Sequence, residues 1–383
     1  MGDERGTLLT RPMLALISST FVSLAGFYFL LSVVPLYANE VGGGSAGAGF
    51  ATAAFMLSTV LAQTQMPRAL ARFGYRPVLA SGLLFLGLPA FLYAFTTGLP
   101  SVLAVTLARG VGFGIVTVVF AALVVELAPA ERRGEALGLF GVSITLPAIF
   151  CNPLGLWLVD GYGYWSVFLL GGMVPLLGFV SFLGTRATRG GGRASGAGFL
   201  EGISRGPLLR LVFLFAVCTM VGGVLLTFLP LAAPGVGVFS AATAILALGL
   251  ATAAGRLWAG RFGDRNDPRG LLAPGLVLAA LGVATLAQGG PALLAGAALF
   301  GIGFGMLQSA TLVMVMARVS KDEYGLGSTL WNAAFDAGTG LGAFLFGFVI
   351  EVSGFSIAFY LCAALLLSTL LIVRLDRAAE KPA

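Results

Sequence analysis

The sequence predicts an all-α polytopic membrane protein, with twelve transmembrane helices in two pseudo-symmetric six-helix bundles. Three observations carry that expectation. Hydrophobic residue types fill 58% of the 383 positions and charged types 10%, against about 25% charged in an ordinary soluble domain. The apolar runs are longer than the roughly ten-residue alternating segments of a barrel strand, which leaves helices as the spanning elements. The basic residues fall in small groups at intervals along the chain and not in one patch. The mean hydropathy of +0.98 is an average over the whole chain, so no large soluble domain is hidden in it. With 22 Lys and Arg and 16 Asp and Glu there is too little charge to cover a soluble surface. A soluble enzyme, a nucleic-acid binder and a disordered scaffold are thereby excluded, the net charge of +6 notwithstanding.

A crossing needs about 20 apolar residues. The expected spans are 13–37, 48–66, 77–97, 101–127, 134–159, 166–184, 209–231, 240–262, 271–288, 291–317, 325–350 and 356–374. The first run is too long for a signal-peptide core and is read as a helix. Gly and Pro mark the thin gaps at 98–100 and 289–290, where helices break at a membrane surface. Between the halves, 185–208 is rich in Gly, Ser and Arg and reads as a flexible linker. The expected organisation is therefore an N-terminal bundle over 1–184, a linker over 185–208 and a C-terminal bundle over 209–383. Every Lys or Arg group outside the spans, from Arg5 and Arg11 to Arg374, Arg377 and Lys381, then lies on one side. The opposite loops carry only Glu40, Asp160 and Glu351. By the positive-inside rule both termini are expected in the cytoplasm, and the chain in the inner (cytoplasmic) membrane as a multi-pass protein.

The two halves repeat. Gly110-Val-Gly-Phe-Gly114 recurs as Gly301-Ile-Gly-Phe-Gly305, a shift of 191 positions that also carries Gly134 to Gly325, Leu139 to Leu330, Asp160 to Glu351, Gly163 to Gly354 and Phe168 to Phe359. Parallel six-helix repeats about an axis along the membrane normal characterise one large transporter fold.

With these motifs in view, the chain resembles the major facilitator superfamily, in its drug and metabolite efflux branch, over essentially its whole length. The family's loop between helices two and three, repeated between eight and nine, reads G-x-x-x-D-R-x-G-R-R. The second copy here is Gly260-Arg-Phe-Gly-Asp264-Arg265-Asn-Asp-Pro-Arg269. The first is Pro67-Arg-Ala-Leu-Ala71-Arg72-Phe-Gly74-Tyr-Arg76, with Ala71 where the family has Asp. The resemblance implies that Arg72, Gly74, Arg76, Gly260, Asp264, Arg265 and Arg269 form a cytoplasmic gate. Chemically, Gly260 would let a backbone approach closely, and Asp264 with Arg265 would offer a separable ion pair. The plainer alternative is a basic loop that only fixes topology.

Two charges stand well inside spans. Asp336 lies about eleven residues into the eleventh helix, roughly 16 Å along it. A carboxylate there costs about 2.5–3.5 kcal/mol unless it is neutralised, paired or in contact with water, so it is a candidate to take up and release a proton. Arg109 lies eight residues into the fourth helix, and a similar Arg-then-Gly pattern in the family is linked to proton transfer in antiporters. With no His in the chain, proton coupling is assigned to Asp336 and Arg109. The alternatives are a structural Asp and a snorkelling Arg. Tyr28, Asn152, Gln308, Trp331 and Asn332 are candidates for the substrate cavity, although such residues more often pack or bridge helices. Pro153 and Gly155 sit where family exporters carry a glycine-rich signature, and are expected to let the fifth helix flex.

The single cysteines, Cys151, Cys218 and Cys362, read as small core residues. No catalytic group, metal or cofactor is expected, and no enzyme activity. The expected partners are a small-molecule substrate, a proton as coupling ion and the lipid bilayer, without nucleic acid, for a chain acting as a monomer. The function expected is secondary active transport by alternating access, as a proton-coupled exporter of amphipathic drugs or metabolites. Proton-coupled uptake of a sugar or other small nutrient, and a non-transporting receptor on the same fold, are the alternatives.

Overall fold

The chain enters its first helix through Thr10, whose hydroxyl accepts from the Met13 N–H at 3.4 Å. Pro12 follows in the first turn, where its missing donor is not needed. The computed structural model describes residues 10–129, 132–183, 206–235, 237–320 and 323–378. They fold almost entirely as helix: α1 (Arg11–Leu31), α2 (Val33–Ala38), α3 (Gly44–Phe73), α4 (Tyr75–Gly87), α5 (Leu99–Leu127), α6 (Arg133–Tyr162), α7 (Tyr164–Leu183), α8 (Gly206–Ala232), α9 (Ala241–Gly263), α10 (Leu272–Leu286), α11 (Ala292–Ala317), α12 (Tyr324–Ser368) and α13 (Leu370–Ala378). Among the described residues nine helical runs are long and apolar enough to cross a membrane. Two of these, Arg11–Phe73 with 63 residues and Leu326–Arg374 with 49, contain a kink. The first kink lies in a π-helical turn at Asn39–Gly43, where Gly42 takes φ 95°. The second lies inside α12 at Gly354, with φ 78°. Both are left-handed positions, which explains the glycines there.

Three details depart from the expected spans. The run expected over 13–37 is interrupted at Ser32, between α1 and α2. The one expected over 77–97 narrows after α4 into a 3-10 helix at Leu88–Phe95, with Pro89 in its first turn. Helix α8 starts at Gly206, inside the stretch expected as linker, while 185–205 lies outside the described residues.

The chain divides into two compact units. The first comprises Met1–Gly42 with Ala54–Arg193, and the second Gly43–Ala53 with Ala194–Ala383. Helix α3 is therefore shared, its first ten residues grouping with the second unit. In the first unit α1 packs on α6 and α7, and α4 on α5. Its core includes Phe27 stacked on Phe113 at 4.0 Å, with Leu79, Val116 and Phe120 fully buried. In the second unit α8 packs on α12, and α11 on α9 and α10.

Glycine-backbone contacts make the repeat concrete. A Cβ on Gly110 would lie 2.4 Å from the Phe55 carbonyl oxygen of α3, and one on Gly301 would lie 2.5 Å from that of Leu248 in α9. Gly112 would meet the Leu86 nitrogen of α4 at 2.3 Å, and Gly303 the Ala279 nitrogen of α10 at 2.6 Å. Gly114 would meet the Thr59 oxygen at 2.6 Å, and Gly305 the Thr252 oxygen at 2.2 Å. So α5 and α11 each wedge between two helices through the same three rungs. The partners, Phe55 and Leu248, Leu86 and Ala279, Thr59 and Thr252, stand 193 positions apart. The sequence shift of 191 is therefore that of the later helices, and the second unit is two residues shorter between the two regions.

Candidate functional site

In the first unit the site grows from the top rung of the α5 ladder. Because Gly110 draws α3 to backbone contact, the preceding residue, Arg109, is sealed in and only 2% exposed. The snorkelling alternative is thereby set aside. The Arg109 Nε donates to the Leu86 carbonyl at 3.2 Å. Its guanidinium lies 5.8 Å from the Phe55 ring centroid and 5.7 Å from that of Tyr93, an arrangement in which the ring faces offset part of the lost hydration. The Tyr93 hydroxyl is tied to Thr106 at 2.8 Å, which fixes that ring. Arg109 Nη2 is buried without a hydrogen-bond partner among the described residues. A cation held by one carbonyl and two rings, with a donor to spare, is ready to accept a further polar partner.

Asn152 and Gly155 lie on the face of α6 toward α1. A Cβ on Gly155 would fall 2.3 Å from the Phe29 oxygen, so this glycine serves close packing. One turn before it, Asn152 is 2% exposed and its Oδ1 has no partner among the described residues. Pro153 is buried between them, and α6 runs through it without a break. Tyr28 is half-buried on α1, edge-on to Phe27 at 4.9 Å. The sequence reading missed Ser23 on α1, which is fully buried with an unpartnered Oγ. It also missed Phe55 and Tyr93, whose role lies in their placement around Arg109.

In the second unit Asp336 is buried at 7% exposure on α12. The turns around it form a tight seam with α8. Thr219 donates to the Ala334 oxygen at 3.1 Å, a Cβ on Gly338 would lie 2.4 Å from the Ala216 oxygen, and one on Gly342 would lie 2.1 Å from that of Met220. Trp331 stacks on Phe215 at 4.4 Å and 16°, and its indole N–H donates to Thr311 at 3.2 Å. Gln308, one turn before Thr311 on α11, is buried at 5% exposure. Asn332 is exposed, and its amide returns to its own helix at the Ser328 oxygen, 2.8 Å away. Trp331, Thr311 and Gln308 thus form one neighbourhood within this unit, and Asn332 faces away from the packed seam.

The loop residues behave less as expected. Asp264 and Arg265 are both exposed and form no ion pair among the described residues. They are consecutive at the end of α9, and neighbours one apart on a helix do not face each other. Asp267 engages the basic end of the motif, accepting from the Arg269 N–H at 2.9 Å and standing 4.0 Å from its side chain. Gly260 has no close neighbour either: its nearest Cβ contact would be Ser309 Oγ at 3.9 Å, so the expected close backbone approach does not occur there. Gly74 does have a conformational reason, since it ends α3 at φ 75° and opens α4. Arg72 lies over Phe73 at 5.1 Å, and Arg76 lies in the first turn of α4. Among the described residues no group of three or more His, Cys, Asp or Glu is placed to hold a metal. Cys218 and Cys362 are buried free thiols and Cys151 a half-buried one.

A polytopic helical chain with buried charges and repeated glycine ladders is the architecture of a membrane transporter. The sequence matches the Major Facilitator Superfamily over residues 16–287 and again over 232–383, and the chain belongs to that family. It is 22% identical to the staphylopine export protein of Staphylococcus aureus, over 97% of this chain and 98% of that one. An MFS-type transporter of Methanocaldococcus jannaschii is 26% identical over 42% of this chain, a match that spans 41% of the relative's length. Among solved structures, a POT family transporter in complex with 5-aminolevulinic acid superposes with TM-score 0.82 at 13% identity, covering 97% of each chain. A bacterial homologue of the human lysosomal transporter Spinster, inward-facing and occupied, gives 0.80 at 15%, covering 96% of each. The fold is thus that of the family, and transport of a small molecule is the activity the family performs.

Proposed function

We propose that this chain is a proton-coupled exporter of amphipathic small molecules. It works by alternating access of two six-helix bundles, 1–184 and 209–383, as a monomer in the inner membrane with both termini in the cytoplasm. The observation that carries the coupling is the pair of buried intramembrane charges. Arg109 keeps one amino group without a partner, and Asp336 is buried beside the α8–α12 seam. A buried carboxylate in a chain without His is the group best suited to alternate between charged and neutral forms. Arg109, with Asn152 Oδ1 and Ser23 Oγ, supplies unsatisfied polar atoms that a substrate headgroup or water would satisfy. Tyr28 in the first unit, and Gln308, Trp331 and Asn332 in the second, supply further aromatic and amide surface within their own units. The full-length likeness to a staphylopine exporter supports export over uptake.

A count of twelve crossings is supported by the nine apolar runs, two of which are about twice the usual length and kink at a left-handed glycine, and by the shorter apolar helix Tyr164–Phe179. The loops bearing Arg72, Gly74 and Arg76, and Gly260, Asp264, Arg265 and Arg269, act as the cytoplasmic gate, with Asp267 as the acid that holds Arg269. Pro153 and Gly155 flex α6 against α1.

The test uses a bacterial host stripped of its own efflux pumps, with accumulation of a dye and antibiotic panel as the readout. The native chain lowers accumulation of at least one compound. Both Asp336→Asn and collapse of the proton gradient abolish that effect, while the variant inserts normally. Unchanged efflux in Asp336→Asn removes Asp336 as the coupling residue. No effect on any compound turns the assay to growth on limiting nutrients, where uptake would be seen.

A further inference from the structure

The start of α3 is capped by a side chain that has no part in the coupling or the substrate cavity described above. The chain kinks through Gly42 at φ 95° and Gly44 at φ 59°, and the first N–H groups of the α3 that follows lack helical acceptors. Glu351 of α12 fills that need. Its Oε2 accepts from the Ser45 N–H at 2.9 Å and from the Ala46 N–H at 3.4 Å. Gly44 is pressed against the same carboxylate, since a Cβ there would lie 3.0 Å from Oε2. Behind this cap the next turns of α3 lie along α12 and α8. A Cβ on Gly49 would fall 2.3 Å from the Ala343 oxygen, and Phe50 meets Phe344 and Phe348, each at 5.6 Å. Thr52 shares a hydrogen bond with Thr227 at 2.9 Å.

The position of Glu351 makes its role informative. It lies three residues before the Gly354 break, in the last turn of the first segment of α12, where the helix dipole disfavours a carboxylate. It gains nothing there from its own helix and gains a charge-assisted cap on another. Asp160 occupies the matching place before Gly163 in the first repeat and accepts no hydrogen bond among the described residues. Among the described residues the cap thus occurs in one copy.

We propose that Glu351 is a latch, which holds segment 43–53 of α3 onto α12 and releases it when the transporter opens at the end away from its basic loops. The latch rests on the alternating-access reading. It deepens that reading by naming the residue that weights one state against the other. Closure is set by a carboxylate capping bare N–H groups over a small-residue and aromatic seam, so the charge tunes the balance without being needed for the fold.

The test reads opening directly and needs no transported substrate. With Cys151, Cys218 and Cys362 replaced by Ala, Thr52→Cys is alkylated in intact cells by a membrane-impermeant maleimide. Thr52 is 6% exposed, so labelling reports release of the segment. Glu351→Ala is expected to raise the labelling rate about fivefold, the equilibrium weight of a typical lost helix cap. Glu351→Gln, which keeps an acceptor oxygen, is expected to raise it about twofold. Equal rates in all three backgrounds overturn the latch. A cysteine pair at Ala46 and Gly347 provides the converse, because a Cβ on Gly347 lies 3.3 Å from the Ala46 Cα and puts a disulfide within reach. Oxidising that pair is expected to suppress labelling at position 52, with recovery on reduction. A formed disulfide that leaves labelling unchanged counts equally against the proposal. If the efflux panel finds no substrate while labelling still responds to Glu351, the exporter reading fails and the latch stands.

Discussion

Helices α5 and α11 are the same scaffold built twice, and they differ at one place that matters. Each carries three glycines on alternate residues, and each set of rungs meets backbone atoms of two neighbours at 2.2–2.6 Å from an added Cβ. Immediately before the first rung, α5 has Arg109 and α11 has Phe300. Both side chains are buried, at 2% and 1% exposure. Phe300 stacks on Phe304 at 5.3 Å and 19°, an ordinary apolar solution for such a site. Arg109 leaves an amino group unsatisfied in the same kind of site. Packing therefore does not call for a cation there, because the second copy packs without one. The carboxylate shows the reverse bias: Asp336 lies on α12, and the matching position of α6 is Thr145. Among the described residues each unit carries one buried charge, of opposite sign, where the matching position of the other repeat has none, as expected of groups kept for function.

Exchanging the two residues breaks or sharpens this comparison most. Phe300→Arg would bury a cation among apolar side chains, at a cost of about 2.5–3.5 kcal/mol. We expect a steep fall in folded yield and in the melting temperature of the purified protein. Arg109→Phe removes the unsatisfied donor and is expected to fold with melting temperature unchanged or raised, while losing proton-coupled efflux. A chain that tolerates Phe300→Arg as readily as Arg109→Phe would show that the two sites are not equivalent environments.

The ladders themselves are tested next. Gly112→Ala and Gly303→Ala each force a methyl group into a neighbouring backbone, which costs about 1–3 kcal/mol of overpacking. Because the rungs match, the two losses should agree to within about 0.5 kcal/mol, the scatter of independent sites. They are read as melting temperatures in one detergent. Unequal losses would place the structural weight of the fold in one repeat.

The legible and illegible parts of this molecule follow the same division. Gly110, Gly112 and Gly114 announced their counterparts because a ladder needs glycine at every rung, so residue identity records the contact. Their partners were invisible: Phe55 and Leu248 meet the ladder through carbonyl oxygens, and main chain leaves no mark in residue type. The 193-residue register of the earlier helices was hidden for that reason. Arg109 and Asp336 stood out because charge within an apolar run is rare, and both side chains are buried. Glu351 appeared only as one acid opposite the basic loops, since its partners at Ser45 and Ala46 are backbone N–H groups about three hundred positions away. The loop motif misled in its chemistry, because adjacent Asp264 and Arg265 read as a pair on paper and diverge on a helix end.

That same loop gives the smallest predicted effect and a direct check on how far motif identity can be trusted. Gly260 sits at the motif position where a tight approach was expected, yet its nearest neighbour beyond its own helix would stand 3.9 Å from an added Cβ. Gly255, on the same helix, would meet the Ile302 oxygen at 2.5 Å. Gly260→Ala is therefore expected to change stability by no more than about 0.5 kcal/mol, with any gain coming from alanine's better helix propensity. Gly255→Ala should cost about 1–3 kcal/mol by forcing α9 and α11 apart. The two variants differ by one methyl group each and lie five positions apart on one helix, so composition and membrane depth nearly cancel. If Gly260→Ala leaves the melting temperature intact but slows efflux, the glycine is needed in another state of the gate, where the loop closes on it. If both stability and rate are unchanged, the motif keeps its glycine here without a packing reason, and the chemistry of the proposed gate rests on Asp267 and Arg269.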